Sequence, residues 1–268
     1  TGIDILGESR GVLPSTEWKR TTYKKPEQQR WYSGETISLG IGQGYNSFTM
    51  LQIAHAMGTV ANNGLKMKPH LVREVVDVET KASTPVAKEP VGQLPLTPEN
   101  LEVIKRGMIG VNIEGTSATS FIGAQYVSAG KTGTAQVYTV KQNEKYNASS
   151  IDERMRDHAL FVAFAPADDP KVALAMVVEN AGFGAQNAAP IARRVFDFVI
   201  LGQYPSQEDI EAVQKGQATR PIGKPRAVAS VPWPPKAAEL VPDELPDVAA
   251  IAKAAASQAA ASASSAAR

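Results

Sequence analysis

Cysteine is absent from the sequence, which removes disulfides, thiol nucleophiles and thiolate metal ligation together. Charge of one sign is also missing. Lys and Arg number 28 against 27 Asp and Glu, a formal net charge of +1. No global field therefore draws the chain to nucleic acid or to an anionic membrane. Histidine occurs only at 55, 70 and 158, and His55 reads as a core or boundary residue rather than a ligand. No apolar run approaches the length of a membrane span, and no signal-peptide pattern is visible. What is present is apolar mass. At 43% hydrophobic over 268 residues, the chain can bury a core as one large domain or two small ones.

Residues 1–36 are punctuated by Gly2, Gly7, Gly11, Pro14, Pro26 and Gly34 and read as loops with short extended pieces. There Lys19, Arg20, Lys24, Lys25 and Arg30 interleave with Trp18, Tyr23, Trp31 and Tyr32, a pattern that could stack bases and hold phosphate. Glu17, Glu27 and Glu35 dilute that charge, so the stretch reads as a solvated connection with no nucleic-acid partner. Ile41-Gly42-Gln43-Gly44 lacks the spacing of a phosphate-binding loop and reads as a tight turn. Thr49 and Gln52 form a capping box for a helix to about Asn62, with Leu51, Ala54, Met57 and Ala61 on its buried stripe. Asn63-Gly64 stops it.

Residues 71–79 suggest an exposed strand, and 80–96 a polar connection. Thr97-Pro98-Glu99 opens a second helix burying Leu101, Ile104, Met108 and Val111. Gly115 to Ser120 is a small polar stretch whose hydroxyls suit helix capping. Residues 159–165 and 172–178 are apolar on both faces and form a hairpin that needs cover on both sides. A helix from about Ala189 to Leu201, burying Ile191, Val195, Phe198 and Val199, supplies one side. The fold class is thus α+β, an antiparallel sheet flanked by helices. From 204 to 268 the chain turns rich in Pro, Ala and Ser and reads as a disordered tail, leaving 1–203 as the folded domain.

Between these elements lies Ser128-Ala129-Gly130-Lys131-Thr132-Gly133-Thr134-Ala135-Gln136-Val137. It reads as a small-residue strand with Thr132 and Thr134 on one face and Lys131 and Gly133 on the other. Two hydroxyls beside a cation suit charge-assisted hydrogen bonding to a carboxylate. Gly133 admits a close neighbour. The polar stretch that follows, 139–156, reads as a flap over this strand.

Lys131-Thr132-Gly133-Thr134-Ala135-Gln136 resembles the third motif of the penicillin-recognising serine enzymes. With Thr1 to Glu8, Ile41 to Gly44, Thr49 to Asn63, Asp157 to Pro166 and Ala188 to Phe198, it is similar to the class B, monofunctional penicillin-binding proteins. Within these it most resembles the penicillin-binding protein 2 subfamily, the elongation transpeptidases. The resemblance covers roughly residues 1–200. It implies a penicillin-binding, serine β-lactamase-like fold, incomplete here, and a peptidoglycan D,D-transpeptidase that works through a serine acyl-enzyme. Lys131 and Thr134 are implied as catalytic residues, and Thr132, Gly133 and Thr134 as substrate-binding ones. No cofactor or metal is implied. The implied partners are peptidoglycan stem peptides, β-lactam antibiotics and a membrane cell-wall synthesis complex, at the periplasmic face of the bacterial inner membrane.

The family's other two motifs, Ser-x-x-Lys and Ser-x-Asn or Ser-x-Asp, have no credible counterpart. Ser128 to Lys131 is the only Ser-x-x-Lys, and it lies on the strand, where such positions face opposite ways. Ser150-Ile151-Asp152 follows the third motif instead of preceding it. Both missing motifs are expected before Thr1, and the chain alone is expected to be inactive. The competing readings are a D,D-carboxypeptidase or β-lactamase-like hydrolase and a non-catalytic module that binds β-lactams or stem peptides.

Overall fold

A three-stranded antiparallel sheet forms the centre of the protein in the computed structural model, which describes residues 1–137, 146–217 and 219–231. Its strands are β5 (Ala129–Ala135), β6 (His158–Ala165) and β7 (Val172–Val178), in the order β5-β6-β7. Register places Thr132 opposite Phe161 and Thr134 opposite Ala159, while Lys131 faces Val162 and Gly133 faces Leu160. Cross-strand partners share a face of the sheet, so the two threonines lie on one face and Lys131 on the other, as the alternation predicts.

Both faces are covered, as the apolar strands require. Earlier elements in chain order are helices α1 (Thr16–Thr22), α2 (Pro26–Gln29), α3 (Ser33–Gly40) and α4 (Met50–Ala61), then strands β1 (Leu65–Met67), β2 (Glu74–Val76), β3 (Ser83–Pro85) and β4 (Pro90–Gln93), then helices α5 (Pro98–Ile113) and α6 (Ala118–Phe121). After the sheet come α7 (Gly184–Asn187), α8 (Ala189–Leu201), β8 (Gln203–Tyr204), α9 (Gln207–Gln214) and β9 (Arg226–Ala227). On one face Ala129 and Phe164 meet Met57, Val60 and Ala61 of α4 and Met108 and Ile109 of α5. On the other, Ala159, Phe161 and Ala163 meet Phe121 of α6 and Ala189, Ala192 and Phe196 of α8. Alanines at the contacts let the helices lie close to the sheet, so Phe161, Phe164 and Phe196 become fully buried. Each contributes up to about 3 kcal/mol.

Helix α4 starts as its capping box predicts. Thr49 Oγ1 accepts from Gln52 N at 3.1 Å, and Gln52 Oε1 accepts from Thr49 N at 2.9 Å. Its buried side is Thr59 and Ala61 with Met57 and Val60, whereas Leu51 is exposed. In α5 the fully buried residues are Leu101, Lys105 and Asn112, and Met108 packs on the core as expected, whereas Ile104 is exposed. Lys105 Nζ donates to Ala61 O at 3.0 Å and to Asn63 Oδ1 at 2.6 Å. It thereby satisfies a carbonyl at the negative end of α4.

Helix α8 has the expected span but the opposite orientation. Ile191, Val195, Phe198 and Val199 are exposed, while Ala192, Arg193, Phe196 and Asp197 are buried. The cause is a polar contact on the inner face. Arg193 Nε donates to both oxygens of Asp197, at 2.9 and 3.0 Å, and Tyr126 OH donates to Asp197 Oδ1 at 2.8 Å. Burial, then the neighbouring Asp197 charge, pushes the Tyr126 phenol well above its ordinary range.

Three further expectations are corrected. Residues 1–36 carry α1, α2 and α3 instead of loops, because Lys19 is an interior cation. Its ammonium donates to Arg30 O at 2.7 Å, pairs with Glu35, and lies over the rings of Tyr32 and Tyr45 at 5.3 and 5.6 Å. Of the interleaved aromatics, Trp31 and Tyr32 thus lie against a lysine of the chain itself. Residues 80–96 contain β3 and β4, drawn into strand by pairing with β2 and β1. The tail does not begin at 204. Strands β8 and β9 pair, and Asp209 of α9 is fully buried against Arg194, so the first compact unit runs from Thr1 to Val228. The second unit, Ala229–Arg268, falls outside the described residues beyond 231, and the Ala- and Ser-rich end lies there. Part of the expected flap, 139–145, lies outside them too. Its remainder holds two 3-10 turns, Ala148–Ser150 and Glu153–Met155.

Candidate functional site

Among the described residues, strand β5 is an edge strand, paired on one side only by β6. Alternate backbone groups on its outer side are therefore available to a ligand. Its first half is anchored. Ala129 and Gly130 are buried, and a Cβ on Gly130 would lie 2.6 Å from Phe161 Cζ, so only glycine admits that ring. Its second half emerges. Lys131 is exposed, and its Nζ donates to Thr132 O at 2.7 Å. Among the described residues it makes no ion pair, which leaves its charge available to an anion. Thr132 is half-buried, and its Oγ1 lies 2.9 Å from Thr116 Oγ1.

A groove of about 530 Å³ runs along the strand. Gly133, Thr134, Ala135, Gln136 and Val137 form one wall, and Ile41 to Gly44 with Asn46 form the other. The facing wall is the tight turn read from the sequence. Gly42 and Gly44 hold φ of 81° and 78°, a left-handed backbone that glycine adopts without strain. The sequence defined the turn but not its place, because the two walls come from distant parts of the chain.

The backbone approach expected at Gly133 comes from Gly184, at the start of α7. A Cβ on Gly184 would lie 2.6 Å from Gly133 O and 2.0 Å from Leu160 O. Neither carbonyl can yield without moving the β5–β6 pair. Gly184→Ala is therefore expected to lower stability by about 3 kcal/mol, an overpacking cost, and a urea melt of the variant beside the parent measures it. A melt superimposed on the parent's would show that α7 shifts freely off the sheet.

Ser128 does not serve as a nucleophile here. It is 4% exposed, and its Oγ accepts from Asn112 Nδ2 at 2.8 Å. Ser150 ends a 3-10 turn, and its Oγ donates to Asn147 O at 2.9 Å. Of the hydroxyls of 115–120, none makes a cap bond at the start of α6, but Ser117 Oγ lies 3.1 Å from Val111 O in the last turn of α5, a capping contact of the kind expected. Ser117 Oγ donates to Asn112 Oδ1 at 2.6 Å, and Thr116 reaches the motif strand. Nothing in the local pattern of 115–120 signals that reach.

The family model of the penicillin binding protein transpeptidase domain matches residues 1–197. The chain belongs to that family. Among curated relatives, the peptidoglycan D,D-transpeptidase MrdA of Haemophilus influenzae is 41% identical over 210 residues, 78% of this chain and 32% of that protein. MrdA of Escherichia coli K12 is 41% identical over 205 residues, 75% of this chain and 31% of that protein. This transpeptidase-family chain thus spans about a third of the length of the curated relatives it matches. Among solved structures, Pseudomonas aeruginosa PBP2 in complex with WCK 5153 superposes with a TM-score of 0.59 at 38% identity, covering 74% of this chain and 40% of that one. PBP2 of Helicobacter pylori, in its complex with MreC, gives 0.56 at 27% identity, covering 75% and 33%. The transpeptidase-family fold, α+β with helices on an antiparallel sheet, is the one described above.

Proposed function

We propose that β5 holds the terminal carboxylate of a peptidoglycan stem peptide during D,D-transpeptidation. The observation that carries this reading is an edge strand whose outer half, with Thr134, lines an open groove, just after Thr132 and after Lys131, which has no carboxylate partner among the described residues. A serine that this chain does not supply attacks the carbonyl of the penultimate D-alanine. The peptide C–N bond breaks, and the terminal D-alanine leaves with a proton on its nitrogen. The amine of a second stem then attacks the acyl ester, forming the cross-link and freeing the serine. Lys131 supplies positive charge to the substrate carboxylate, and the Thr132 and Thr134 hydroxyls donate to it. Gly133 keeps the strand clear for the ligand backbone. The Thr134 backbone N–H is one of two donors to the oxyanion, a role worth about 3 kcal/mol of barrier.

β-Lactams occupy the same place as mimics of D-alanyl-D-alanine. The partner is a membrane-associated cell-wall synthesis complex serving elongation, at the periplasmic face of the inner membrane. Support for this comes from the named relatives and from the PBP2–MreC assembly. Among the described residues, no helix is long and apolar enough to cross a membrane.

The test incubates the full-length gene product with a stem pentapeptide and resolves the products by mass spectrometry. Cross-linked dimer with one D-alanine released per cross-link is the expected result. Release of D-alanine without dimer would assign a carboxypeptidase, and binding without release a non-catalytic module.

A further inference from the structure

The contact between Thr116 and Thr132 is not accounted for by the motif. Gly115 creates it. A Cβ there would lie 2.7 Å from Val111 Cα, so only glycine lets the chain fold back so tightly on the end of α5. The amides of Gly115 and Ser117 then bond to Gly110 O at 2.9 Å and Val111 O at 3.2 Å. Asn112 fixes the turn against the strand. Its Oδ1 accepts from Ser117 Oγ at 2.6 Å, and its Nδ2 donates to Ser128 Oγ at 2.8 Å. All three residues are buried. Thr116 is thus held between two fixed residues with its Oγ1 at 2.9 Å from Thr132 Oγ1.

Two hydroxyls in contact share one proton, and its direction has consequences. If Thr132 donates to Thr116, its proton is used within the protein and cannot reach a ligand. If Thr116 donates, the Thr132 proton is free to point outward, and its O–H is polarised by the bond it accepts. A carboxylate has no proton of its own and selects the second arrangement. We propose that Thr116 is a positioning residue: it donates to Thr132 Oγ1 and so directs the Thr132 proton at the ligand carboxylate. The inference rests on the carboxylate-binding role of β5 and adds the group that orients it.

The experiment measures second-order acylation of the full-length gene product by benzylpenicillin and by its methyl ester, which lacks the anionic carboxylate. The variants are Thr116→Val, Thr116→Ser and, as a control, Lys131→Ala. Thr116→Val is expected to slow the free acid about 10-fold, the size of one hydrogen bond, and the ester by less than about twofold. Thr116→Ser keeps the hydroxyl and stays within about twofold of the parent on both. Equal losses on acid and ester would show a merely structural role and overturn the inference. So would an unchanged rate on the acid, or a faster one, which would mean that Thr132 is the donor of the pair. If Lys131→Ala acylates as the parent does, the reading of β5 fails and this inference with it. If Lys131→Ala is impaired and Thr116→Val is not, the inference alone fails.

Discussion

Lys131→Ala in the full-length gene product is expected to lower the second-order rate of β-lactam acylation by about 10²–10³-fold while the protein melts as the parent does. The rate effect is that of losing a fixed charge where negative charge must be bound in a water-poor cleft. The unchanged melt follows from exposure. Among the described residues the Lys131 side chain makes no ion pair, and its ammonium donates only to Thr132 O. Substitutions of that kind lie within about 0.5 kcal/mol. Thr132→Val should do less, removing one hydroxyl bond to a charged group, worth about 1.5–3 kcal/mol. Acylation kinetics and thermal melting of both variants check this. Parental kinetics for Lys131→Ala, or a loss explained by unfolding, would make the strand structural.

The second large effect falls far from the groove and has the opposite signature. Asp209 is fully buried, accepts from Arg194 at 2.8 and 2.7 Å, and accepts from Ile222 N at 3.2 Å. It joins α9 and the 221–222 segment to α8. Asp209→Ala leaves the Arg194 guanidinium uncompensated beside a buried space, at a cost of about 3–5 kcal/mol. At roughly 2–4 °C per kcal/mol for a unit of this size, the melting temperature should fall by about 6–20 °C. Acylation at low temperature should be unaffected, because the pair touches neither wall of the groove. Replacing both partners, Arg194→Met with Asp209→Leu, should restore most of the loss, since no buried charge remains. A melt of Asp209→Ala unchanged from the parent would mean that residues 204–228 form the tail their composition suggests.

Local chemistry was legible in the sequence, and orientation was not. The Thr49–Gln52 capping box defined the start of α4, and the alternation around Lys131 defined the two faces of β5, since both depend on neighbours in the chain. The buried face of α8 was misread because hydrophobicity pointed to Ile191 and Val195. Packing instead selected small Ala192 against the sheet and enclosed Arg193 with Asp197. The same bias hid Lys19 as the interior cation of α1–α3 and Asp209 as the anchor of the C-terminal extension. A charged residue reads as surface until its partner is known. At the site, the Lys-Thr-Gly motif carried the family. The opposing turn, Gly184 and Thr116 come from distant segments, and only the fold brings them to β5.

The central claim is that β5 binds the ligand carboxylate. The measurement that tests it most directly is a crystal structure of the full-length gene product acylated by benzylpenicillin. The account predicts carboxylate oxygens at about 3 Å from the hydroxyls of Thr132 and Thr134, with the Lys131 ammonium facing the same anion and the adduct on a serine other than Ser128. A carboxylate turned to solvent away from β5, or an adduct on Ser128, would contradict it.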